Sequence, residues 1–221
     1  MAIISSITSK GGSNKSGTAI LLATYFAHAG KKVCVVDTDI NQSIARWQSL
    51  RDEALPDITV VSMLDGKQLG RNINKLHNDY DLVIIDTSPG LAQKSSYTIL
   101  YSDLLIIPAL VSGFDLWSIE QFLERYEEVC NIGGKKIPAF LFLSMYDRRI
   151  LLHQSFLKTV KELSEEYEVG VLHSKLAYRN AFKVATIQGQ SALEWNDPKA
   201  KGEAEAFGKE IERILKTYDA I

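Results

Sequence analysis

Short, almost uniformly apolar runs recur along this chain, separated by stretches in which apolar residues return every three or four positions. The runs cover 2–8 (AIISSIT), 32–38 (KVCVVDT), 58–63 (ITVVSM), 81–87 (DLVIIDT), 104–110 (LLIIPAL) and 138–145 (PAFLFLSM), with 168–174 (EVGVLHS) a further candidate. Strands without a polar face belong to sheets covered on both sides. Helical patterns fill 16–29, 41–54, 67–78, 114–131 and 149–166. Gly30 follows the first of these as a helix stop. Near the end, Ala200, Ala204, Phe207, Ile211 and Ile214 fall on one stripe, as in a helix packed on a sheet. Strand–helix alternation predicts an α/β fold: a doubly wound, mostly parallel sheet flanked by helices. No repeat, low-complexity tract or linker interrupts the chain, so residues 1–221 are expected to form a single domain.

Composition adds exclusions. The chain is 46% hydrophobic and 24% charged, the balance of a globular protein with a substantial core. A net charge of −2 gives no global basic excess, so nucleic-acid binding would need a local patch. The longest apolar runs, such as 104–111, are strand-sized, and no membrane span is expected. The start lacks a secretory pattern, and Cys34 and Cys130 form no metal spacing, so a cytoplasmic protein with reduced thiols is expected. His28, His77, His153 and His173 show no metal spacing either, and Trp47, Trp117 and Trp195 read as packing aromatics.

The chemistry concentrates after the first strand, in SITSKGGSNKSGTAI (6–20). A phosphate loop runs Gly, four residues, Gly, Lys, then Ser or Thr. Lys15 and Ser16 fill the last two places, but the glycine places fall on Ser9 and Asn14. Gly11 and Gly12 stand elsewhere, preceded by a second lysine, Lys10. The context is right, because the segment leaves a strand and enters a helix, whose N-terminal N–H groups attract anions. A lysine there can sit against β and γ phosphates, and a hydroxyl can take a magnesium position. Taken alone, the segment reads equally as a Gly/Ser-rich turn. Two further strand ends carry acids: Asp37 and Asp39 in VCVVDTDINQS, and Asp86 in YDLVIIDTSPG. The plain structural reading of the first pair is a cap on the next helix.

The three motifs together resemble the ParA/MinD family of deviant Walker A ATPases. That family's loop runs Lys-Gly-Gly-x-Gly-Lys-Ser/Thr-Thr, which Lys10, Gly11, Gly12, Lys15 and Ser16 match. The resemblance implies a phosphate-loop NTPase fold binding ATP and Mg2+. Lys10, Gly11, Gly12, Ser13, Asn14, Lys15, Ser16 and Gly17 would form the nucleotide loop. Lys15 would be the phosphate lysine, and Lys10 the signature lysine that crosses a homodimer to the partner's nucleotide. Ser16, Asp37 and Asp86 would serve the magnesium, with Asp39 as the carboxylate that orients or deprotonates the attacking water. Thr87, Ser88, Pro89 and Gly90 would be the following switch loop. Two positions depart: Asn14 stands where the family has Gly, and Gly17 where it usually has Thr. Asn is the non-glycine residue that best tolerates positive φ. Ile40 and Asn41 likewise replace Pro and Gln in the second motif.

The resemblance spans nearly the whole chain. It includes the next strand with a loop at Pro108, and a tail like that of short, ParF-like plasmid-partition ATPases without an N-terminal helix-turn-helix. It implies a slow ATPase that dimerises on ATP, binds DNA non-specifically and is stimulated by a ParB-like or other small adaptor, in the cytoplasm on the nucleoid. The base is expected between 143–149 and the stretch after Lys175. Arg179, Lys183, Lys209 and Arg213 are candidate DNA contacts. Interleaved Glu203, Glu205, Glu210 and Glu212 fit a solvated, ion-paired helix equally well. The ending ILKTYDAI carries little basic charge, so membrane binding is not expected. Three alternatives stand beside this reading: an McdA-like positioning ATPase for a protein body such as a carboxysome, a nucleotide-binding scaffold with little turnover, and a metabolic enzyme of the dethiobiotin synthetase type.

Overall fold

The apolar runs become strands buried on both faces. The computed structural model describes residues 1–90, 93–111, 113–147 and 149–218, without the side chains of residues 66, 67, 74, 77, 93, 94 and 113–115. The strands are β1 (Ala2–Ser6), β2 (Val33–Asp37), β3 (Thr59–Ser62), β4 (Leu82–Asp86), β5 (Leu104–Leu110), β6 (Ala139–Tyr146), β7 (Gly170–Val171) and β8 (Leu176–Ala177). They form one sheet in the order β3-β2-β4-β1-β5-β6-β7, with β8 also on β6. Every described pairing is parallel. Parallel neighbours need crossovers, and helices supply them.

Helices α1 (Lys15–His28), α2 (Ser43–Ser49) and α8 (Pro198–Thr217) cover one face. Leu22, Phe26, Trp47, Phe207 and Ile211 pack there on Ile4, Val35, Ile84 and Phe142. Helices α3 (Gly66–Asp79), α4 (Gln93–Tyr101), α5 (Gly113–Gly133) and α6 (Leu151–Glu166) follow other strands. The opposite face buries Leu105, Ile107 and Leu141 against Phe122, Tyr126 and Val160 of α5 and α6, and Val36 and Ile85 against Leu69 and Ile73 of α3. A short helix α7 (Asn180–Ile187) lies between β8 and α8. Gly30, at φ 78, ends α1 as expected. The stripe on α8 buries Leu215, while Ile214 stays half-buried.

Pro108 corrects one expectation: it lies inside β5, not in a loop. The Ile7 amide donates to the Ile106 carbonyl, and the next rung would need an N–H from residue 108. Proline has none. The β1–β5 ladder therefore stops there, and the chain after Ile7 is free to leave the sheet.

Candidate functional site

Register brings the three strand ends together. Ser6 pairs with Asp86, and Asp86 with Asp37, so one rung at the carboxyl edge holds both acids beside the chain that leaves β1. Ligands of doubly wound sheets bind at this edge.

The loop between β1 and α1 needs two left-handed residues, Gly12 at φ 74 and Asn14 at φ 70. Glycine takes this conformation freely, and asparagine is among the few others that do so readily. Asn14 is the N-cap of α1, its carbonyl accepting the Thr18 amide at 2.9 Å. The loop is fastened on both flanks. Ser6 Oγ donates to the Lys15 carbonyl at 3.0 Å, and the Gly90 amide donates to the Ser9 carbonyl at 2.8 Å. The second bond ties segment 87–90 to the loop, and Thr87 Oγ1 adds a bond to the Ser6 carbonyl.

Lys15 is buried, with its ammonium donating to the Lys10 carbonyl at 2.6 Å. Burial lowers its pKa, against the pull of Asp86 and Asp39. It donates to neutral oxygens, the Lys10 carbonyl and Ser13 Oγ. Beside it, Ser16 Oγ donates to Asp86 Oδ2 at 2.6 Å. Asp86 Oδ1 is buried with no hydrogen-bond partner among the described residues. Burial pushes the Asp86 carboxyl up to about 7; the Ser16 bond opposes this, and the charge of Asp37 adds to it. An orphaned carboxylate oxygen beside a hydroxyl is a donor pair that suits a hard divalent cation such as Mg2+. Ser16 and Asp86 therefore fit the metal expected there.

Asp37 is differently employed. Its Oδ1 accepts the Asp39 amide and its Oδ2 the amides of Ile44 and Ala45, which caps α2 from the strand. Asp39 is half-buried, and its Oδ1 accepts both the amide and the Nδ2 of Asn41. Asp39 thus stands at the loop's rim, near enough to influence Lys15. Lys10 lines a hollow with Leu110, Met145, Asp147, Ile150 and Tyr178.

The two segments expected around the base do meet. Ser144 and Met145 line a cavity of ≈ 90 Å³ with Leu176, Tyr178, Arg179 and the loop residues Asn14 and Gly17. A β-bulge between Ser144 and Tyr146 shapes this rim, with Met145 at φ 58. Arg148 lies outside the described residues. Of the candidate DNA contacts, Arg179 and Lys183 line this cavity together, and Lys209 does not. Arg179 lines this cavity and Lys183 lies over the Tyr178 ring, whereas Lys209 lines another groove with Tyr25, His28 and Lys201. Arg179 is paired with Glu203 at 2.7 Å and Lys209 with Glu205 at 3.9 Å; Arg213 is exposed on α8. Sequence reasoning gave no role to Thr38 or Ser144. Thr38 Oγ1 donates to the Asp86 carbonyl and accepts the Ser88 amide, joining two strand ends to the switch segment. A lone hydroxyl residue carries no pattern that reveals this.

No cluster of three or more potential metal ligands among His, Cys, Asp and Glu occurs among the described residues. The His77 side chain lies outside them. No described helix is long and apolar enough to cross a membrane.

The VirC1 protein family profile matches residues 1–205. The chain belongs to the VirC1 protein family. That family sits with the ParA/MinD partition and positioning ATPases, as its relatives show. Protein ParA of Rhizobium radiobacter is 26% identical over 220 residues, covering 97% of this chain and 98% of its own. The maintenance of carboxysome distribution protein A of Halothiobacillus neapolitanus is 24% identical over 207 residues, covering 93% and 91%. The ATP complex of a variant of Cyanothece McdA has the same fold, with a TM-score of 0.79 across 96% of each chain at 16% identity.

Proposed function

We propose that this VirC1-family protein is a Mg-ATP-dependent switch: it dimerises on ATP, hydrolyses it slowly, and positions plasmid or chromosomal DNA on the nucleoid with a ParB-like adaptor. One observation carries the reading. A buried lysine and a Ser16–Asp86 pair with an orphaned oxygen converge at the N-terminus of α1. Buried charge without full partners is costly unless a ligand completes it.

In this reading the loop amides and the α1 N-terminus bind the phosphates. Lys15 leaves the neutral Lys10 carbonyl for phosphate oxygens, exchanging a weak partner for a charged one. Ser16 and Asp86 would hold the magnesium, which would supply positive charge against the phosphates, and Asp37 fixes the adjacent strand end. Asp39 orients the attacking water. Lys10 faces outward, where it reaches a partner's nucleotide and offsets the repulsion between two loaded faces. Arg179 and Lys183, with exposed Tyr178 under the Lys183 ammonium, form the DNA-facing rim, and Lys209 and Arg213 form a second basic stretch on α8. The likeness to the carboxysome distribution protein supports a second cargo, a protein body moved by the same cycle.

Sedimentation with Mg-ATP, Mg-ADP or no nucleotide tests the switch, and the expected result is a dimer with ATP alone. Lys10→Ala should keep nucleotide binding and lose that dimer, and Asp39→Ala should form a dimer that does not turn over. A monomer in all three states of the parent would reject the switch.

A further inference from the structure

Position 17 opens directly onto the side chain of Asn14. A β-carbon on Gly17 would stand 2.1 Å from Asn14 Oδ1 and 3.0 Å from its Cγ, so position 17 admits no side chain while Asn14 keeps its place. Gly17 is not among the residues with positive φ, so it serves no turn. Glycine inside a helix is unfavourable, second only to proline. It is there for space, and the space holds Asn14.

Asn14 is held from three directions. Its backbone is left-handed, its carbonyl accepts the Thr18 hydroxyl at 2.8 Å, and its Nδ2 donates to Ser144 Oγ at 2.8 Å. Ser144 is itself buried at the bulge of β6. The carboxamide therefore bridges the phosphate loop and β6. It also lines the ≈ 90 Å³ cavity with Tyr178, and Asp86 is not part of that lining. A primary amide carries two hydrogens, and Ser144 accepts one of them.

We infer that Asn14 and Gly17 act as one positioning unit. Asn14 takes the place of a helical side chain at 17, fastens the loop to β6, and presents its amide to an oxygen on the nucleoside side of a bound nucleotide. The inference rests on the nucleotide reading above. It makes the two departures of this loop a single compensated change: a side chain at 17 clashes only while Asn14 is present, so changing both relieves the loop although the amide is lost.

The test uses the parent, Asn14→Gly, Gly17→Ala, the double variant and Asn14→Asp. Their thermal midpoints without nucleotide, and their calorimetric affinities for Mg-ATP and Mg-tripolyphosphate, are compared. Gly17→Ala should lower the midpoint and weaken ATP by about tenfold, the equivalent of ~1.4 kcal/mol. Adding Asn14→Gly should restore the midpoint and leave ATP affinity at the level of Asn14→Gly alone, giving strong non-additivity between neighbours. Asn14→Gly alone should weaken ATP but leave tripolyphosphate unchanged. Asn14→Asp keeps the shape, and the Ser144 hydroxyl can donate to it, so its midpoint should hold while its ATP affinity falls. Additive losses in the cycle would overturn the unit, and equal loss of ATP and tripolyphosphate in Asn14→Gly would overturn the nucleoside-side contact. A parent that binds neither ligand would fail the nucleotide reading and the ligand role with it, while the four midpoints still decide the steric pairing.

Discussion

Two of the buried charge clusters among the described residues are treated in opposite ways. In the first, Arg51 and Glu194 are 4% and 1% exposed and meet at 2.6 Å. Arg51 also donates to the carbonyls of Pro56 and Gly189, and Glu194 accepts the Ser191 amide and faces His28. Trp47 packs under the guanidinium and donates to the Gln190 carbonyl. In the second, Lys15 donates to neutral oxygens and Asp86 leaves one oxygen orphaned. A closed network joins α2 to the segment before α8. The open one stands at the strand ends where a ligand would complete it. Satisfied buried charge marks structure here, and unsatisfied buried charge marks a site.

The largest test of that contrast is Lys15→Ala. It should weaken Mg-ATP binding by about 100-fold or more, ~2.7 kcal/mol, without lowering the thermal midpoint of the nucleotide-free protein. A large loss of that midpoint would place Lys15 with the structural cluster. Next, Glu194→Ala should cost about 3 kcal/mol in denaturant unfolding, because it strands Arg51. A cost as small as that of an exposed pair would erase the distinction.

The pH dependence should separate the clusters by sign. For Glu194, burial pushes the pKa up, but the bonds from Arg51 and Ser191 outweigh it, and the net pKa is lowered from 4.5. Its stabilisation is present above the unfolded pKa and is lost as pH falls through the folded one. For Asp86, burial raises the pKa from 3.8 to about 7, so its contribution is full below 3.8 and is lost as pH rises through about 7. Thermal midpoints in chelator should show Glu194→Gln flattening the acid limb and Asp86→Asn flattening the decline that Asp86 causes as pH rises from about 4 to about 7. Like slopes in both variants would break the contrast. The smallest effect is at the surface. Lys209→Ala removes an exposed pair and should change stability by a few tenths of a kcal/mol, read in the same unfolding experiment.

Much of this was legible because the chemistry is written in short sequence. Lys15, Ser16, Asp37 and Asp86 each end or follow an apolar strand, and apolar periodicity placed the strands. Helices α4 and α7 and strand β8 were not legible. Helix α4 buries Ser95, Thr98 and Ile99, and α7 buries Ala181 and Ala185. Hydroxyl and small side chains leave no apolar stripe to read, and β8 is two residues long. Helix α2 was read too long, at 41–54: it ends at Ser49, and Arg51 beyond it turns to the Pro56 carbonyl and to distant Glu194, which the local sequence does not announce.

The sequence by itself determined the layered fold, the left-handed tolerance at position 14 and the acids at the strand ends, because local conformation and burial periodicity are properties of neighbouring residues. Only the tertiary structure decided which polar groups were satisfied. It gave Asp37 to a helix cap, left Asp86 open, closed Arg51 onto Glu194, and set Asn14 into the space above Gly17, because satisfaction depends on groups that the fold brings together from distant parts of the chain.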